Sequence, residues 1–210
     1  MKYAITIALI AMVTYTVRTA SSEDNGDKTA EFFESSFANE IASKPDRSLQ
    51  DVRQILKQNP NHYIANYRAG WLSYLLGRYG EAVKYYKKAS ALKPGSLEAE
   101  LAMLLPLMAS KDWRTAESLA KSILKRAPNN YLAGSRLAFI YFSQSRYKEA
   151  ERQYQSVLKS FPSELEMTLG LGWTYLHQGR KSEARAMFQE VLRIRRQNPN
   201  ALAGLKALER

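Results

Sequence analysis

The sequence of 210 residues predicts an all-α protein made of tandem helix–turn–helix units, and two periodic features carry that prediction. Prolines recur every 34 residues, at Pro60, Pro94, Pro128 and Pro162. Alanines recur at the same interval, at Ala82, Ala116, Ala150 and Ala184. On both sides of a break near the middle of each unit, apolar residues follow helical spacing. A period of this length fits one helix–turn–helix repeat.

Each unit is punctuated at two places, which separate its two helices. A glycine or a polar residue marks the turn in the middle, at Gly77, Lys111, Ser145 and Gly179. The proline ends the second helix, because it lacks a backbone N–H and disfavours helical geometry in the residue before it. A bulky ring follows the repeated alanine by four residues in three of the units, at Tyr86, Tyr154 and Phe188.

These residues resemble the pattern of the tetratricopeptide repeat family, in which Leu-Gly, Tyr, Ala, an aromatic residue and Pro follow in order. The unit that matches best contains Leu171, Gly172, Tyr175, Gly179, Ala184 and Phe188. The second unit is the weakest match, since Leu104 and Ala120 replace the usual glycine and ring. The resemblance implies a right-handed α-solenoid whose first helices line a concave, peptide-binding face.

The expected boundaries place the solenoid at residues 48–210. Four full repeats are predicted, at 63–94, 97–128, 131–162 and 165–196. A half repeat over 48–60 precedes them, and its start is suggested by Ser48 and Asp51, which have the spacing of a capping box. A terminal helix over 201–210 is expected to cover the last apolar face of the array.

Residues 1–22 have the features of a secretory signal peptide. Lys2 precedes a mostly apolar stretch over 3–17, and the small residues at 20–22 suit cleavage. The apolar stretch is shorter than the roughly 20 residues that a membrane span needs. We therefore expect a periplasmic or secreted protein, with an uncleaved N-terminal membrane anchor as the alternative.

Charge is divided unevenly along the chain. Residues 23–47 carry seven acidic and three basic side chains, a net charge of −4, whereas residues 48–210 carry 26 basic and 13 acidic ones, a net charge of +13. The acidic leader also has four large apolar residues in helical spacing, Phe32, Phe33, Phe37 and Ile41. We expect a short helix over 29–42 that either caps the first repeat or occupies the concave groove.

One helical stripe on the first helices is the candidate binding surface. Its predicted groove residues are Tyr67, Trp71, Tyr74, Leu101, Leu105, Met108, Phe139, Phe142, Leu169, Trp173 and Leu176. Such a surface suits an apolar ligand, for example an amphipathic helix that is recognised by spaced anchors. It lacks the Lys, Arg and Asn residues of the carboxylate clamp that some family members have. The alternative is that these residues are core between neighbouring first helices.

Residue types that carry out catalysis or bind cofactors are not arranged in a known motif. The chain has no cysteine, its two histidines are His62 and His177, and the phosphate-binding glycine patterns are absent. We therefore expect no enzyme activity, no cofactor and no metal ion.

The sequence predicts a scaffold or adaptor of the cell envelope that binds another protein through a peptide or an amphipathic helix. The alternative partner is an acidic polysaccharide or an anionic lipid surface, bound by basic residues of the second helices such as Lys84, Lys121 and Arg152. Nucleic acid is not an expected partner of an exported protein. Self-association through the ends of the solenoid is a further option.

Overall fold

The computed structural model of the chain describes residues 27–209, which form eleven α-helices and contain no strand. Each helix packs against the next one in the chain. The helices are α1 Thr29–Ile41, α2 Pro45–Gln58, α3 Tyr63–Leu75, α4 Tyr79–Leu92, α5 Glu98–Ala109, α6 Trp113–Arg126, α7 Tyr131–Ser143, α8 Tyr147–Ser160, α9 Leu165–His177, α10 Lys181–Ile194 and α11 Pro199–Ala207. The predicted fold class, an all-α solenoid of helix–turn–helix repeats, is confirmed.

The helices keep the 34-residue period of the sequence throughout the described chain. Most of the odd-numbered helices begin at intervals of that period, at Thr29, Tyr63, Tyr131, Leu165 and Pro199, and α5 begins one residue late in its unit. Odd-numbered helices are therefore the first helices of the repeats, and even-numbered helices are the second ones. From α3 to α11, each first helix also contacts the next first helix.

The pair α1–α2 is a complete repeat, where the sequence predicted only a half repeat over 48–60. α2 begins at Pro45, and Ser48 is buried inside it instead of capping it. Asp51 does not complete a capping box, because its carboxylate accepts a hydrogen bond of 2.9 Å from the side chain of Asn39 in α1. The leader predicted at 23–47 therefore contains a full first helix and the start of a second.

Two serines explain how α1 and α2 pack as a repeat. Ser36 and Ser48 occupy the repeat positions of Gly70 and Ala82, and both are fully buried. Their hydroxyl oxygens lie 2.8 Å apart, so one donates a hydrogen bond to the other. Small side chains still allow the close approach of the two helices, and the hydrogen bond satisfies the buried hydroxyls.

α1 extends the row of first helices and does not lie across the other first helices. Glu40 of α1 accepts hydrogen bonds from Arg68 at 2.8 Å and from the Trp71 indole N–H at 3.1 Å. The guanidinium of Arg68 also lies 3.8 Å from the centre of the Phe37 ring. α1 thus adjoins α3 through side-chain contacts, and the structure favours the capping position over the groove position.

The turn inside each pair is closed by one residue with a left-handed backbone. These residues are Ser43, Gly77, Lys111, Ser145 and Gly179, with φ between 56° and 76°. The next residue donates its N–H to the carbonyl five positions earlier, as Arg78 does to Ser73 at 2.8 Å. This arrangement is the Schellman motif that ends many helices.

From the pair α3–α4 onward, a small residue on one helix packs against a large one on its partner. A β-carbon at Gly70 would lie 2.8 Å from the ring of Tyr86, which is itself 1% exposed. In the next repeat the sizes are exchanged, since Leu104 stands at the glycine position and Ala120 at the ring position, both fully buried. The weak match of that repeat to the family pattern is thus an exchange that conserves volume.

The C-terminal helix α11 begins at Pro199 and ends at Ala207, where the sequence predicted a helix over 201–210. Its N-terminus is set by Asn198, whose side-chain oxygen accepts a hydrogen bond of 2.9 Å from the Ala201 N–H. α11 packs against α9 and α10, and a β-carbon at Gly204 would overlap the ring of Phe188. α11 therefore covers the last ring of the array.

The signal peptide predicted at residues 1–22 lies outside the described residues. Among residues 27–209, no helix is both long and apolar enough to cross a lipid bilayer.

We predict that Gly70→Ala and Gly80→Ala have opposite effects on stability. The first adds a methyl group against the buried Tyr86 ring and should lower the free energy of unfolding by about 1–3 kcal/mol. The second adds it within α4, where nothing lies within 4 Å, and should raise the free energy of unfolding by up to about 1 kcal/mol. Urea unfolding followed by circular dichroism measures both, and equal midpoints would contradict the close packing of α3 on α4.

The left-handed turns generate a second prediction. Lys111 has φ of 59°, which costs free energy for a residue with a side chain, so Lys111→Gly should raise the free energy of unfolding by about 0.5–1 kcal/mol. Gly179→Lys is the reverse change at an equivalent turn, where an added β-carbon meets nothing within 4 Å, and should lower it. Thermal unfolding of the two variants checks the sign, and a loss of stability in Lys111→Gly would refute the strain.

Candidate interaction groove

The first helices α3, α5, α7, α9 and α11 stand side by side, and α1 adjoins α3 through side-chain contacts. The outward surface of these six helices is here called the first-helix face. The predicted groove residues occupy three positions of this face, those of Tyr67, Trp71 and Tyr74 in α3. Residues spaced by three, four and seven positions lie on one side of a helix. In α1, Phe33 and Phe37 occupy the first two of these positions.

The eleven predicted groove residues are shared between core and surface. Leu169 is 5% exposed and Phe139 is 47% exposed, and the other nine are half-buried. Eight of those nine pack against the main hydrophobic core. The sequence also allowed these residues to be core between neighbouring first helices. That alternative describes the buried part of each side chain, whereas the exposed part is open to a ligand. Their part in binding a ligand stays a prediction.

Four of the predicted residues meet around one hollow of about 520 Å³, to which α7 and α9 contribute most of the wall. These four are Phe139, Phe142, Leu169 and Trp173. The wall is completed by Ser135, Tyr154, Glu166, Met167, Gly170, His177 and Asn200. An apolar hollow with a few polar groups at its edge is the usual form of a ligand site.

Stacked rings hold the walls of the hollow in place. His177 lies flat against Tyr147, with ring centres 5.0 Å apart, and Phe142 meets it edge-on at 5.4 Å. Trp173 packs edge-on against the buried ring of Phe188 at 5.3 Å. Because each of these rings is supported by another, the hollow is preformed and does not need a ligand to shape it.

A second apolar patch lies on α3 and is formed by the other aromatic residues of the stripe. Trp71 and Tyr74 have ring centres 5.8 Å apart, and Tyr67 packs edge-on against Tyr86 at 5.5 Å. None of these residues lines the hollow between α7 and α9. The predicted groove therefore consists of the α3 patch and the hollow, with the apolar residues Leu101, Leu105 and Met108 of α5 between them.

Three exposed apolar residues of the first-helix face, Ile64, Leu75 and Leu132, were not predicted from the sequence. Eight large apolar side chains are exposed in the described part of the chain, and six of them occupy three recurring positions of the first helices. These six form the equivalent pairs Phe37 and Phe139, Ile41 and Leu75, and Ile64 and Leu132. The 34-residue offset does not single out the three missed residues, because other repeats hold polar residues such as Glu98, Ser143 and Glu166 at the same positions.

Sequence analysis also missed a cation on the same face. Arg136 lies four residues after Leu132 on α7, so both side chains leave the helix on the same side. Its guanidinium donates a hydrogen bond to the Leu101 carbonyl of α5. Burial lowers the pKa of the Arg136 guanidinium, and the nearby phenols of Tyr67 and Tyr74 oppose that shift.

The basic residues on which the alternative partner depends lie on the second helices, except for Arg195 and Arg196, which directly follow α10. All of these side chains are exposed: Lys84, Lys87, Lys88, Lys121, Lys125, Arg126, Arg152, Lys159, Arg193, Arg195 and Arg196. Three of them form ion pairs, namely Lys121 with Glu117, Arg126 with Glu100 and Arg193 with Glu190. The remaining eight have no carboxylate within 4.0 Å among residues 27–209.

Within that same range, no group of three or more His, Asp or Glu side chains is placed to hold a metal ion.

Two family models, both described as Tetratricopeptide repeat, match the sequence. One matches residues 42–96 and 135–199, and the other matches residues 107–162. The chain belongs to the tetratricopeptide repeat family. The match to residues 42–96 takes in the whole of α2, the second helix of the N-terminal repeat. No curated protein matches the sequence.

Solved structures of other proteins resemble this tetratricopeptide repeat chain. MamA, from residue 41 to its end, from Desulfovibrio magneticus RS-1 has a TM-score of 0.74 and 20% identity, over 83% of this chain and 98% of that one. A tetratricopeptide repeat protein from Parabacteroides merdae ATCC 43184 has a TM-score of 0.79 and 15% identity, over 87% and 73%. YrrB, described as a TPR protein with an unusual peptide-binding site, has a TM-score of 0.68 and 17% identity, over 86% and 94%. At these identities the likeness shows the fold.

Proposed function

We propose that this tetratricopeptide repeat protein is an interaction scaffold that binds an apolar segment of a partner protein on its first-helix face, without catalysing a reaction. The observation that carries the proposal is the placement of exposed apolar side chains. Six of the eight in the described residues recur on that face, and only Ile194 lies on a second helix. Exposed apolar surface gathered on one side of a protein marks an interaction site.

The size of the hollow agrees with a peptide ligand. A space of about 520 Å³ accepts one or two large apolar side chains, and the α3 patch offers a second anchor point. Full burial of each large side chain contributes about 1.5–3 kcal/mol. Since micromolar affinity corresponds to about −8 kcal/mol, several anchors on both patches are needed to offset the cost of association.

The proposal also specifies a class of ligand and a location in the cell. YrrB, which shares the fold, is described as having a peptide-binding site, and this favours a peptide or helix as the ligand. The proposed location in the cell envelope rests on the signal-like sequence of residues 1–22 alone.

A second candidate function is the binding of an acidic polymer or an anionic membrane surface. It is favoured by eight exposed basic residues, six on second helices and two directly after α10, that form no ion pair within the described range. The two functions differ in their response to salt, because binding through many cations weakens steeply as salt is added, whereas apolar binding does not.

Substitution of Phe139 tests the first function against a matched control. Phe139 on α7 is 47% exposed and Ile194 on α10 is 59% exposed, so neither Phe139→Ala nor Ile194→Ala should unfold the chain. We predict that Phe139→Ala no longer retains the proteins that the unaltered chain captures from native cell extract at raised salt, and that Ile194→Ala retains them. Quantitative mass spectrometry measures the retention.

The opposite pattern would contradict the scaffold proposal. The unaltered protein and both variants would then capture the same proteins, or raised salt would release all captured proteins while Phe139→Ala has no effect. Either result would mean that binding depends on the basic second helices. Equal melting temperatures of the three chains serve as the control for folding.

A further inference from the structure

Arg136 differs from the other shielded cations of the described chain, because it has no carboxylate partner. Each of the other half-buried arginines forms an ion pair: Arg53 with Glu81, Arg68 with Glu40, Arg146 with Glu117 and Glu149, and Arg180 with Glu151 and Glu183. Every lysine of residues 27–209 is exposed. Within that range, Arg136 is the only half-buried cation with no carboxylate oxygen within 4.0 Å.

The surroundings of Arg136 leave most of its hydrogen-bonding capacity unused. A guanidinium has five N–H donors and stays charged in proteins. In the described structure, one of these donors reaches the carbonyl of Leu101. The titratable groups that influence the Arg136 pKa are the phenols of Tyr67, Tyr74 and Tyr86, which are uncharged at physiological pH. Arg136 is therefore an unneutralised charge within a largely apolar surface.

The fold does not require an arginine at this position. The equivalent residues of the flanking repeats are Ala102 and Gly170. Arg68 occupies the same position in α3, but its guanidinium forms an ion pair with Glu40. A partly buried charge without a counterion lowers stability, since it loses part of its hydration and gains no ion pair in return. A destabilising residue that packing does not demand indicates a role in binding.

Arg136 lies between the two apolar patches of the first-helix face. Its guanidinium reaches back from α7 over Leu101 towards the tyrosines of α3. Its chain neighbour Ser135 lines the hollow between α7 and α9. A peptide that spans both patches would therefore pass over Arg136 in its middle, with apolar contacts on both sides.

We propose that Arg136 binds an aspartate or glutamate side chain of the partner segment, so that the ligand of this face is an apolar peptide with a carboxylate between its apolar anchors. The proposal rests on the scaffold function argued above. A guanidinium and a carboxylate form two parallel hydrogen bonds, which fix both the register and the direction of the peptide. A side chain is favoured over a C-terminal carboxylate, because the apolar surface continues on both sides of Arg136.

The test uses random dodecapeptides displayed on phage, selected against the purified protein. We expect the selected peptides to carry Asp or Glu flanked by large apolar residues, and to lose binding to Phe139→Ala. Synthesis of one selected peptide and of its Glu→Gln form then isolates the charge. Arg136→Gln should weaken binding of the acidic peptide by about tenfold or more, and should leave the Glu→Gln peptide nearly unaffected.

Two control variants separate binding from folding. Arg136→Ala copies the residue of the neighbouring repeat, and its melting temperature should equal or exceed that of the unaltered protein. Arg136→Lys keeps the charge without the paired geometry, and should retain part of the preference for the acidic peptide.

Other outcomes overturn the proposal in distinguishable ways. Selected peptides that depend on Phe139 but lack acidic residues, and that bind Arg136→Gln equally well, would remove the role of Arg136 and leave the scaffold function intact. Selection of no peptide that depends on Phe139 would remove the scaffold function and the inference with it.

Discussion

The close contact between a small residue on one helix and a large one on its partner determines how the repeats from α3–α4 onward are built. In the first predicted repeat, the ring of Tyr86 lies where a β-carbon on Gly70 would stand, and in the next repeat Leu104 and Ala120 fill the same space in reverse. Because every unit is packed in an equivalent way, equivalent residues recur on the same side of every first helix. The alignment of apolar side chains along the first-helix face follows from this repetition.

The two sides of the solenoid satisfy their polar groups differently. At the junctions between the later repeats, Arg146 and Arg180 each bridge a carboxylate of the preceding repeat and one of their own, and each stacks on a tyrosine ring. The first-helix face has little such compensation. It exposes Phe139 and the equivalent Phe37, and it leaves the charge of Arg136 without a counterion. A bound partner would bury the hydrophobic surface and supply a counterion for the cation.

The period of the sequence was sufficient to predict the helix pairs, their turns and the stripe on the first helices, because proline, glycine and alanine have strict steric roles. It was insufficient at the N-terminus, where Ser36 and Ser48 take the small-residue positions and Ser48 resembled a helix cap. A serine pair preserves size and adds a hydrogen bond, so the repeat persists without its apolar signature. Arg136 was missed because only the tertiary structure shows which arginines have carboxylate partners.

The account depends most on the claim that the first-helix face, and no other surface, holds a partner segment. Photo-crosslinking in native cells measures this directly, with benzoylphenylalanine placed at Phe139 in one chain and at Ile194 in another. The account predicts a discrete crosslinked protein band from position 139 and none from position 194. The same adducts from both positions, or a band from position 194 alone, would contradict it.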